Sequence, residues 1–331
     1  MKTQKFKHIY VLQAGTCAGP TEKAGPLGEC FDITFDDFYA KEKSYELAER
    51  TMLRFACDQA LHKAQLKIED MDVLVGGDLM NQIMTTNYFA RNLNVPLIGI
   101  YAACATSALA IGVAAQQVEA KVAEYAMAFT SSHFCTAEKQ FRYPNEYGIQ
   151  KPDTTTTTAT GAGSVILSKT PSPIAVSSFT VGNVIDWNQT DVNDMGSAMM
   201  PAALDTLKRH LADTNRTIED YDLIATGDLS MVGNTMLREA LKQEGYSHVE
   251  RVTDCGLLLF DRENQTVFSG GSGCACSMLV TLAHLFKKLE EKQMKRILLI
   301  ATGALLSPIA IQQHDSIPCV AHAICFEAVN L

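Results

Sequence analysis

The sequence predicts an α/β protein built from two homologous halves that stack into five layers, α-β-α-β-α. Residues 68–79 read IEDMDVLVGGDL and residues 218–229 read IEDYDLIATGDL, so one segment returns 150 positions later. A Cys-Ala-Thr-Ser turn that begins at Cys104 is answered by Cys-Ala-Cys-Ser at Cys274. Each half also alternates apolar strand-like stretches with helical ones, which is typical of sheets covered by helices on both faces.

The repeat period is far longer than the roughly 20–50 residues of solenoid repeats, and therefore indicates two halves of domain size. We place the first half, with the Cys104 turn, at residues 1–170 and the second at residues 171–331. A chain of 331 residues can bury a core in each half. Because a shared scaffold does not decide chemistry, function should be sought where the halves differ.

Strands and helices alternate through both halves. Gly15 ends the first strand, Pro96 opens the third, and the helix at 107–120 is rich in small residues and apolar on most sides, so it should be buried. Its counterpart at 277–292 is predicted to pack against it between two sheets, which are expected to be mainly parallel. Strands are predicted at 8–15, 71–79, 96–102, 124–132, 161–168, 174–182, 221–229, 296–303 and 321–329, and helices at 43–66, 85–93, 107–120, 202–212 and 277–292.

Composition and charge exclude several classes of protein. The formal net charge of −9 argues against nucleic acid as the main partner, because phosphate binding needs a clustered Lys/Arg surface. Ten scattered cysteines do not form a disulfide scaffold. The apolar run before Gln13 is too short for a signal peptide, and the longest apolar stretch, 297–311, is shorter than the roughly 18 residues of a membrane span. We therefore expect a protein without signal peptide or transmembrane helix.

Cys104 is the strongest candidate for a functional residue. It stands between a predicted strand and a buried helix, where its sulfur can lie over free N–H groups at the helix start. That position stabilises a thiolate and is expected to lower the pKa of the thiol. The alternative is a buried structural cysteine.

Two further candidates lie at the carboxyl ends of neighbouring strands. His133 follows the strand at 124–132 and could approach Cys104, since ligand crevices form at this edge of a parallel sheet. Asp78 ends the strand at 71–79 in a Gly-Asp-Leu sequence, and Asp228 takes the same place in the second half. An aspartate there can simply accept N–H bonds from its own turn, although a part in the site remains open for Asp78.

The segment FRYPNEYGIQKPD at 141–153 offers Arg142, Tyr143, Tyr147 and Lys151. Arginine can bind a carboxylate with two hydrogen bonds and tyrosine can stack on a planar ring, whereas the simpler interpretation is an exposed loop. Cys274 and Cys276 have no second pair at zinc spacing, and no GxGxxG or Walker motif occurs. The sequence therefore predicts neither a metal site nor a nucleotide cofactor.

Four segments resemble the thiolase superfamily. They correspond to its nucleophile turn, its Met-Gly covering segment, its Gly-rich strand and its terminal Gly-rich loop, and read AACATSA (102–108), DMGSAMMPAA (194–203), TGAGSVILS (160–168) and ATGALLSP (301–308). The chain is more similar still to the stage V sporulation protein AD family, over nearly its whole length. The segments that carry this second resemblance include AGTCAGPTEKAGPLG (14–28), GGDLMNQ (76–82), TSSH (130–133), QFRYPNEYGIQKPDTTT (140–156), TGDLS (226–230), GGSGCACS (270–277) and ATGALLSPIAIQQ (301–313).

The resemblance implies a thiolase-like fold, usually dimeric, with a role in sporulation and spore germination. It also implies binding of dipicolinic acid, alone or with calcium, during uptake into the developing spore. The expected partners are a second copy of the chain and membrane-embedded proteins of the same operon, with the protein cytoplasmic or peripheral at the inner spore membrane. In this reading Cys104 and His133 line the pocket, Asp78 orients its wall or contacts a cation, and Arg142 neutralises a ligand carboxylate.

The chain departs from the enzymes of the superfamily in its second half. The turn that resembles the source of their histidine reads TGDLS, with Asp228; the segment that resembles their asparagine loop reads GGSGCACS; and the terminal loop lacks the second cysteine of thiolases. Loss of one oxyanion donor costs roughly 3–4 kcal/mol of transition-state stabilisation. This favours a binding protein. An acyl-transfer enzyme with Cys104 as nucleophile and His133 as base, and a scaffold that only docks to membrane partners, are the alternatives.

Overall fold

The structure is a computed structural model that describes residues 2–141 and 151–330. Within these ranges the strands are β1 Gln4–Lys5, β2 Tyr10–Ala18, β3 Ile33–Thr34, β4 Val73–Asp78, β5 Leu97–Gly99, β6 Ala126–Ser132, β7 Thr156–Thr158, β8 Gly161–Ser168, β9 Ile174–Thr180, β10 Val184–Ile185, β11 Leu223–Thr226, β12 Val252–Asp254, β13 Gly270–Ser272, β14 Arg296–Ala304 and β15 Cys319–Ala328. The helices are α1 Pro20–Lys23, α2 Tyr45–Ala64, α3 Met84–Ala90, α4 Thr106–Glu119, α5 Phe134–Phe141, α6 Met195–Thr214, α7 Ser230–Gln243, α8 Cys255–Leu259, α9 Cys274–Val280, α10 Phe286–Glu290 and α11 Pro308–Gln312. A π-helical turn at Thr281–Leu285 joins α9 to α10.

The main sheet consists of two five-stranded parts with matching order. In the first half the order is β2-β8-β6-β4-β5, and in the second it is β9-β15-β14-β11-β12. The parts meet where β2 pairs with β9, at the single register pair Tyr10–Ala175. The duplicated sequence thus folds into a duplicated sheet.

The expectation of mainly parallel sheets is wrong for half of the strand pairs. β4 is parallel to β5 and β6, and β11 to β12 and β14, but β6–β8, β2–β8, β14–β15 and β9–β15 are antiparallel. A parallel neighbour needs a long crossover, usually a full helix, whereas the link from β14 to β15 contains only the five-residue α11. Both faces of these strands are buried, so the strands are apolar whether they run parallel or antiparallel to their neighbours. Their composition therefore does not indicate their direction.

Helices and sheets form five layers. On the outside of the first half, α2 packs on β2, β6 and β8, and on the outside of the second half α6 packs on β14 and β15. Between the sheets lie α4 and α9, each in contact with strands of both halves. Buried apolar residues accordingly form three large clusters, one in the central layer and one beneath each outer helix layer. The chain therefore has the predicted α-β-α-β-α stack.

The recurring aspartates of the duplicated segment have a structural role. The Asp72 carboxylate accepts hydrogen bonds from the backbone N–H groups of Glu124 and Tyr125, at 2.7 and 3.0 Å. Asp222 accepts the equivalent pair from Lys295 and Arg296, at 2.6 and 3.0 Å. Each aspartate ties the start of its strand to the start of the neighbouring one, which satisfies backbone donors that would otherwise lack partners.

Helix α6 is longer than predicted. It begins at Met195, capped by the Asp194 carboxylate on the N–H of Ser197, and contains Pro201 inside its second turn. The proline concealed this start in the sequence, because proline usually marks a helix end or first turn. Among the described residues, no helix combines the length and apolarity needed to cross a bilayer.

Candidate ligand site at Cys104

The turn that carries Cys104 lies between β5 and α4. Ala103 adopts a left-handed conformation with φ of 47°. Thr106 stabilises the turn, since its hydroxyl donates to the Ala103 carbonyl at 2.6 Å and accepts from the Ala102 N–H at 3.0 Å. Gly303 of β14 packs directly against it: a Cβ at this position would lie 2.3 Å from the Ala102 carbonyl oxygen. A strand of the second half therefore supports the cysteine turn of the first.

Cys104 borders a small cavity of about 40 Å³. This volume holds only a few water molecules, because each needs roughly 10–15 Å³ on this measure. The walls are largely apolar and come from both halves of the chain. The lining residues are Leu79, Ala103, Cys104, Ala137, Phe141, Thr158, Met195, Ser272, Ala304 and Leu306.

A buried carboxylate stands behind the polar wall of the cavity. Asp228 accepts hydrogen bonds from the hydroxyls of Ser272 at 2.9 Å and Thr302 at 2.6 Å, and from the Gly273 N–H at 3.2 Å. The Cys104 sulfur lies 3.9 Å from the Ser272 hydroxyl. None of these donors carries a charge. Within the described part of the chain, neutral hydroxyl and N–H groups therefore stabilise the carboxylate, and no cation pairs with it.

The expected lowering of the Cys104 pKa is wrong. Burial raises the pKa of the thiol well above its usual value, and the neighbouring Asp228 carboxylate raises it further. A negative charge and a dry environment both disfavour a thiolate, and they outweigh the N–H groups at the start of α4. The thiol is therefore protonated at neutral pH, which is unfavourable for nucleophilic attack.

His133 does not approach Cys104, contrary to the expectation from strand order. Its side chain is fully buried, with Nε2 2.8 Å from the Phe38 carbonyl oxygen and Nδ1 accepting the N–H of Cys135 at 3.1 Å. Both ring nitrogens are thus engaged, and His133 is not among the residues that line the cavity. Burial also lowers its pKa, so the imidazole is held neutral. The strand end points this side chain toward α2 instead of the cavity.

Asp78 accepts backbone N–H groups, which is the structural role expected for the aspartate of its Gly-Asp-Leu turn. It accepts the N–H of Met80 at 2.8 Å and that of Thr86, at the start of α3, also at 2.8 Å. Burial raises the pKa of Asp78 and, as the larger cause, that of Glu49 on α2; the Asp78 charge raises the pKa of Glu49 further, to about 8. Asp78 does not line the cavity, although its neighbour Leu79 does.

The predicted contribution of Arg142 lies outside the described residues, as do Tyr143 and Tyr147. Lys151, from the same segment, forms an ion pair with Glu138 at 3.1 Å and lies over the Phe134 ring. Within residues 2–141 and 151–330, no group of three or more His, Cys, Asp and Glu side chains is arranged to hold a metal ion.

Sequence reasoning missed most of the cavity wall. Met195, Ser272 and Leu306 belong to segments that were noted only for family resemblance, namely the Met-Gly segment, the loop before Cys274 and the terminal Gly-rich loop. Thr158, which the sequence analysis does not single out, ends the short strand β7. The available signal was that all these segments stand at strand or helix ends, where such walls form.

Comparison with known proteins identifies the family. A sequence model for stage V sporulation protein AD (SpoVAD) matches residues 1–327. Stage V sporulation protein AD of Bacillus subtilis (strain 168) is 52% identical over 327 residues, which cover 98% of this chain and 96% of that protein. The chain belongs to the stage V sporulation protein AD family.

Solved structures place this SpoVAD family member in the thiolase-like fold. The 3-oxoacyl-[acyl-carrier-protein] synthase III of Aquifex aeolicus VF5 superposes with a TM-score of 0.61 at 14% identity, covering 96% of this chain and 99% of that one. OleA of Xanthomonas campestris, in a variant bound with cerulenin, gives a TM-score of 0.62 at 15% identity and 98% coverage of both chains. At these identities the likeness concerns the fold alone. The chain therefore shares its fold with a 3-oxoacyl-[acyl-carrier-protein] synthase III and with OleA, and the Cys104 site must decide its chemistry.

Proposed function

We propose that this chain is a ligand-binding protein of sporulation that does not turn its ligand over. The observation that carries the proposal is the buried Asp228 carboxylate beside the Cys104 thiol, which raises the pKa of that thiol well above its usual value. Thiolate catalysis at neutral pH needs the opposite, a nearby base or cation. Among the described residues, no histidine lines the cavity.

We further propose dipicolinic acid as the ligand, on the strength of family membership. Its pyridine ring would contact the apolar walls formed by Leu79, Phe141 and Leu306, and one of its carboxyl groups would take the Thr158 hydroxyl as a donor, since the Ser272 hydroxyl already donates to Asp228. The cavity is smaller than this ligand, so binding requires the walls to move outward. Met195 is suited to such movement, because its unbranched side chain adapts easily.

Among the described residues, the lining has no cation to neutralise two carboxylates, and this defines two further parts of the proposal. Arg142 follows Phe141 directly in the chain and would neutralise one carboxylate. Calcium, bound mainly by the ligand's own carboxylates, would neutralise the other. The protein is proposed to act as a homodimer at the inner spore membrane, next to membrane-embedded proteins of its operon.

Calorimetric titration with dipicolinate, with and without calcium, tests the proposal. We expect saturable binding that is weakened several-fold by Cys104→Ala and by Arg142→Gln. Cys135→Ala is the matched control, since Cys135 lies on α5 and does not line the cavity. Absence of binding by the unmodified protein under both conditions would refute the assignment, and equal affinity in all variants would remove the ligand from this cavity.

Acyl transfer remains the second candidate, because one observation favours it. The cavity beside the thiol is mostly apolar, as an acyl chain requires, and the fold is shared with a synthase. In this alternative Cys104 attacks a thioester, the acyl group moves to sulfur and the original thiol leaves. Incubation with an acyl thioester at alkaline pH, followed by intact-mass measurement, distinguishes the two: an adduct absent from Cys104→Ala supports catalysis, and an unmodified mass supports binding alone.

A further inference from the structure

A second groove lies on the outer face of the first half, between α2 and α3. It encloses about 400 Å³ and shares no lining residue with the Cys104 cavity. Its walls combine charged, aromatic and aliphatic side chains. The lining residues are Glu42, Arg50, Thr51, Arg54, Cys57, Asp58, Leu61, Ile68, Tyr88, Phe89, Arg91, Asn92 and Leu93.

Three arginines converge on this groove in a chain of net charge −9. Arg54 is partly neutralised by Asp58, whose pKa it lowers against the larger opposing effect of burial. Across residues 2–141 and 151–330, neither Arg50 nor Arg91 has a carboxylate within ion-pair distance. The other acid of the groove, Glu42, accepts the Thr51 hydroxyl at 2.7 Å. The groove therefore presents three arginines against two carboxylates, which is an excess of one positive charge.

Aromatic rings hold two of these guanidinium groups in place. Arg91 lies over the Tyr88 ring, 5.0 Å from its centroid, and Arg54 lies over Phe55 at 5.3 Å. Stacking occupies the flat face of a guanidinium and leaves the N–H groups at its edge free to donate. Tyr88 is half exposed, which is unusual for a ring with only a packing role. The arrangement resembles a preformed clamp for an oxyanion.

We propose that the groove between α2 and α3 binds a phosphate group attached to an organic moiety. Arg50 and Arg91 would donate paired hydrogen bonds to the phosphate oxygens, as guanidinium groups do with this anion. Leu61, Phe89 and Leu93 would contact the organic part, for which the groove has room beyond the phosphate itself. The phosphate can belong to a soluble phosphorylated metabolite or to a phospholipid headgroup, and the experiment separates these sources.

Calorimetry with inorganic phosphate and phenyl phosphate, and co-sedimentation with vesicles of phosphatidylglycerol in phosphatidylcholine, test the proposal on the full chain. We expect phenyl phosphate to bind more tightly than inorganic phosphate. The double variant Arg50→Gln/Arg91→Gln should weaken binding roughly tenfold or more, because it removes both guanidinium groups that would donate to the phosphate oxygens. Binding of vesicles but not of free phosphates assigns a lipid headgroup, and the reverse assigns a soluble ligand.

Arg238→Gln is the matched control for the single variants Arg50→Gln and Arg91→Gln, since Arg238 lies on α7 in the second half and each of the three substitutions removes one positive charge. Binding that survives the double variant, or falls equally with Arg238→Gln, overturns the proposal. So does failure of the unmodified protein to bind both phosphates and vesicles. Unfolding curves of the double variant should match those of the parent, because neither arginine forms an ion pair that the fold needs.

Discussion

The hydroxyls of Ser107 and Ser277 hydrogen-bond to each other at 2.6 Å, in the buried layer between the two sheets. These serines occupy the same position in the two Cys-containing turns, one at the start of α4 and the other in α9. Each serine thus meets its own counterpart from the duplicated half, and the pair joins the central helices by a bond that apolar packing alone would not direct.

Removal of one member of this pair should destabilise the protein more than removal of both. Ser107→Ala leaves the Ser277 hydroxyl buried without its partner, at a cost of about 1–3 kcal/mol in the free energy of unfolding. The double variant Ser107→Ala/Ser277→Ala should lose less than the sum of the two single variants. A double-mutant cycle measured by urea unfolding checks this, and strict additivity would show that the two hydroxyls are not coupled.

Asp228→Asn should lower the pKa of the Cys104 thiol. The substitution removes the negative charge that opposes thiolate formation and leaves burial, the larger cause, in place, so the shift is partial. The rate of alkylation by iodoacetamide as a function of pH reports the change, with the reacted cysteine identified by peptide mass. Asp228→Asn/Cys104→Ala serves as the background, because nine other cysteines are present. An unchanged pH profile at Cys104 would contradict the electrostatic account.

Glu49 should make the fold less stable as pH rises. Its pKa of about 8 in the folded state lies above the 4.5 that is usual for a glutamate, so between these values the folded state retains a proton that the unfolded state has lost. Stability is therefore greatest below about pH 4.5 for this group and declines toward pH 8. Glu49→Gln should flatten the decline in melting temperature between pH 5 and 8, measured by calorimetry. Glu46→Gln is the control on the same helix, since Glu46 has a lowered pKa.

His210 should contribute a loss of stability on the acid side. Its pKa is lowered to about 4, chiefly by burial, while Nδ1 lies 2.7 Å from the Thr180 hydroxyl and Nε2 lies 2.8 Å from that of Tyr221. Between pH 6.5 and 4 the unfolded state binds a proton that the folded state rejects, so stability falls as pH decreases. His210→Gln should reduce this acid sensitivity in urea unfolding, whereas His8→Gln, an exposed site, should leave it unchanged. A parent-like pH dependence in His210→Gln would reject the assignment.

Much of the fold could be predicted because the duplication repeats the signals that define it. The small residues after Cys104 and the apolar run after Cys274 predicted two central helices, and Ser107 and Ser277 now mark their contact. Strand direction could not be predicted, because β8 and β15 are buried on both faces whichever way they run. The start of α6 was missed because Pro201 within it imitates a helix boundary.

The candidate site was harder to predict, since the direction in which a side chain points is set by packing that sequence position does not encode. His133 follows β6 and Cys104 follows β5, but β4 lies between these strands in the sheet, and His133 turns toward the Phe38 carbonyl. The upward shift of the Cys104 pKa comes first from burial and then from Asp228, 124 positions away in the chain. The sequence alone indicates that an acid, Asp228, stands where the enzymes of the superfamily have a histidine. Only the structure shows that this acid lies beside the Cys104 thiol.

The contacts between the two halves predict how the halves behave when they are expressed separately. β2 and β9 share one register pair, Tyr10–Ala175. The central helices, however, pack across the two halves: α4 contacts β14 and β15, and α9 contacts β6 and β8. Separating the two fragments made by a cut between Ser168 and Ile174 would break the pairing of β1 and β2 with β9 and of β7 with β13. It would also remove from the central helix of each fragment the strands of the other half that it contacts. Fragments expressed separately should precipitate, whereas the same fragments expressed together should reassemble. Neither half of this duplicated chain should therefore fold on its own without the other half.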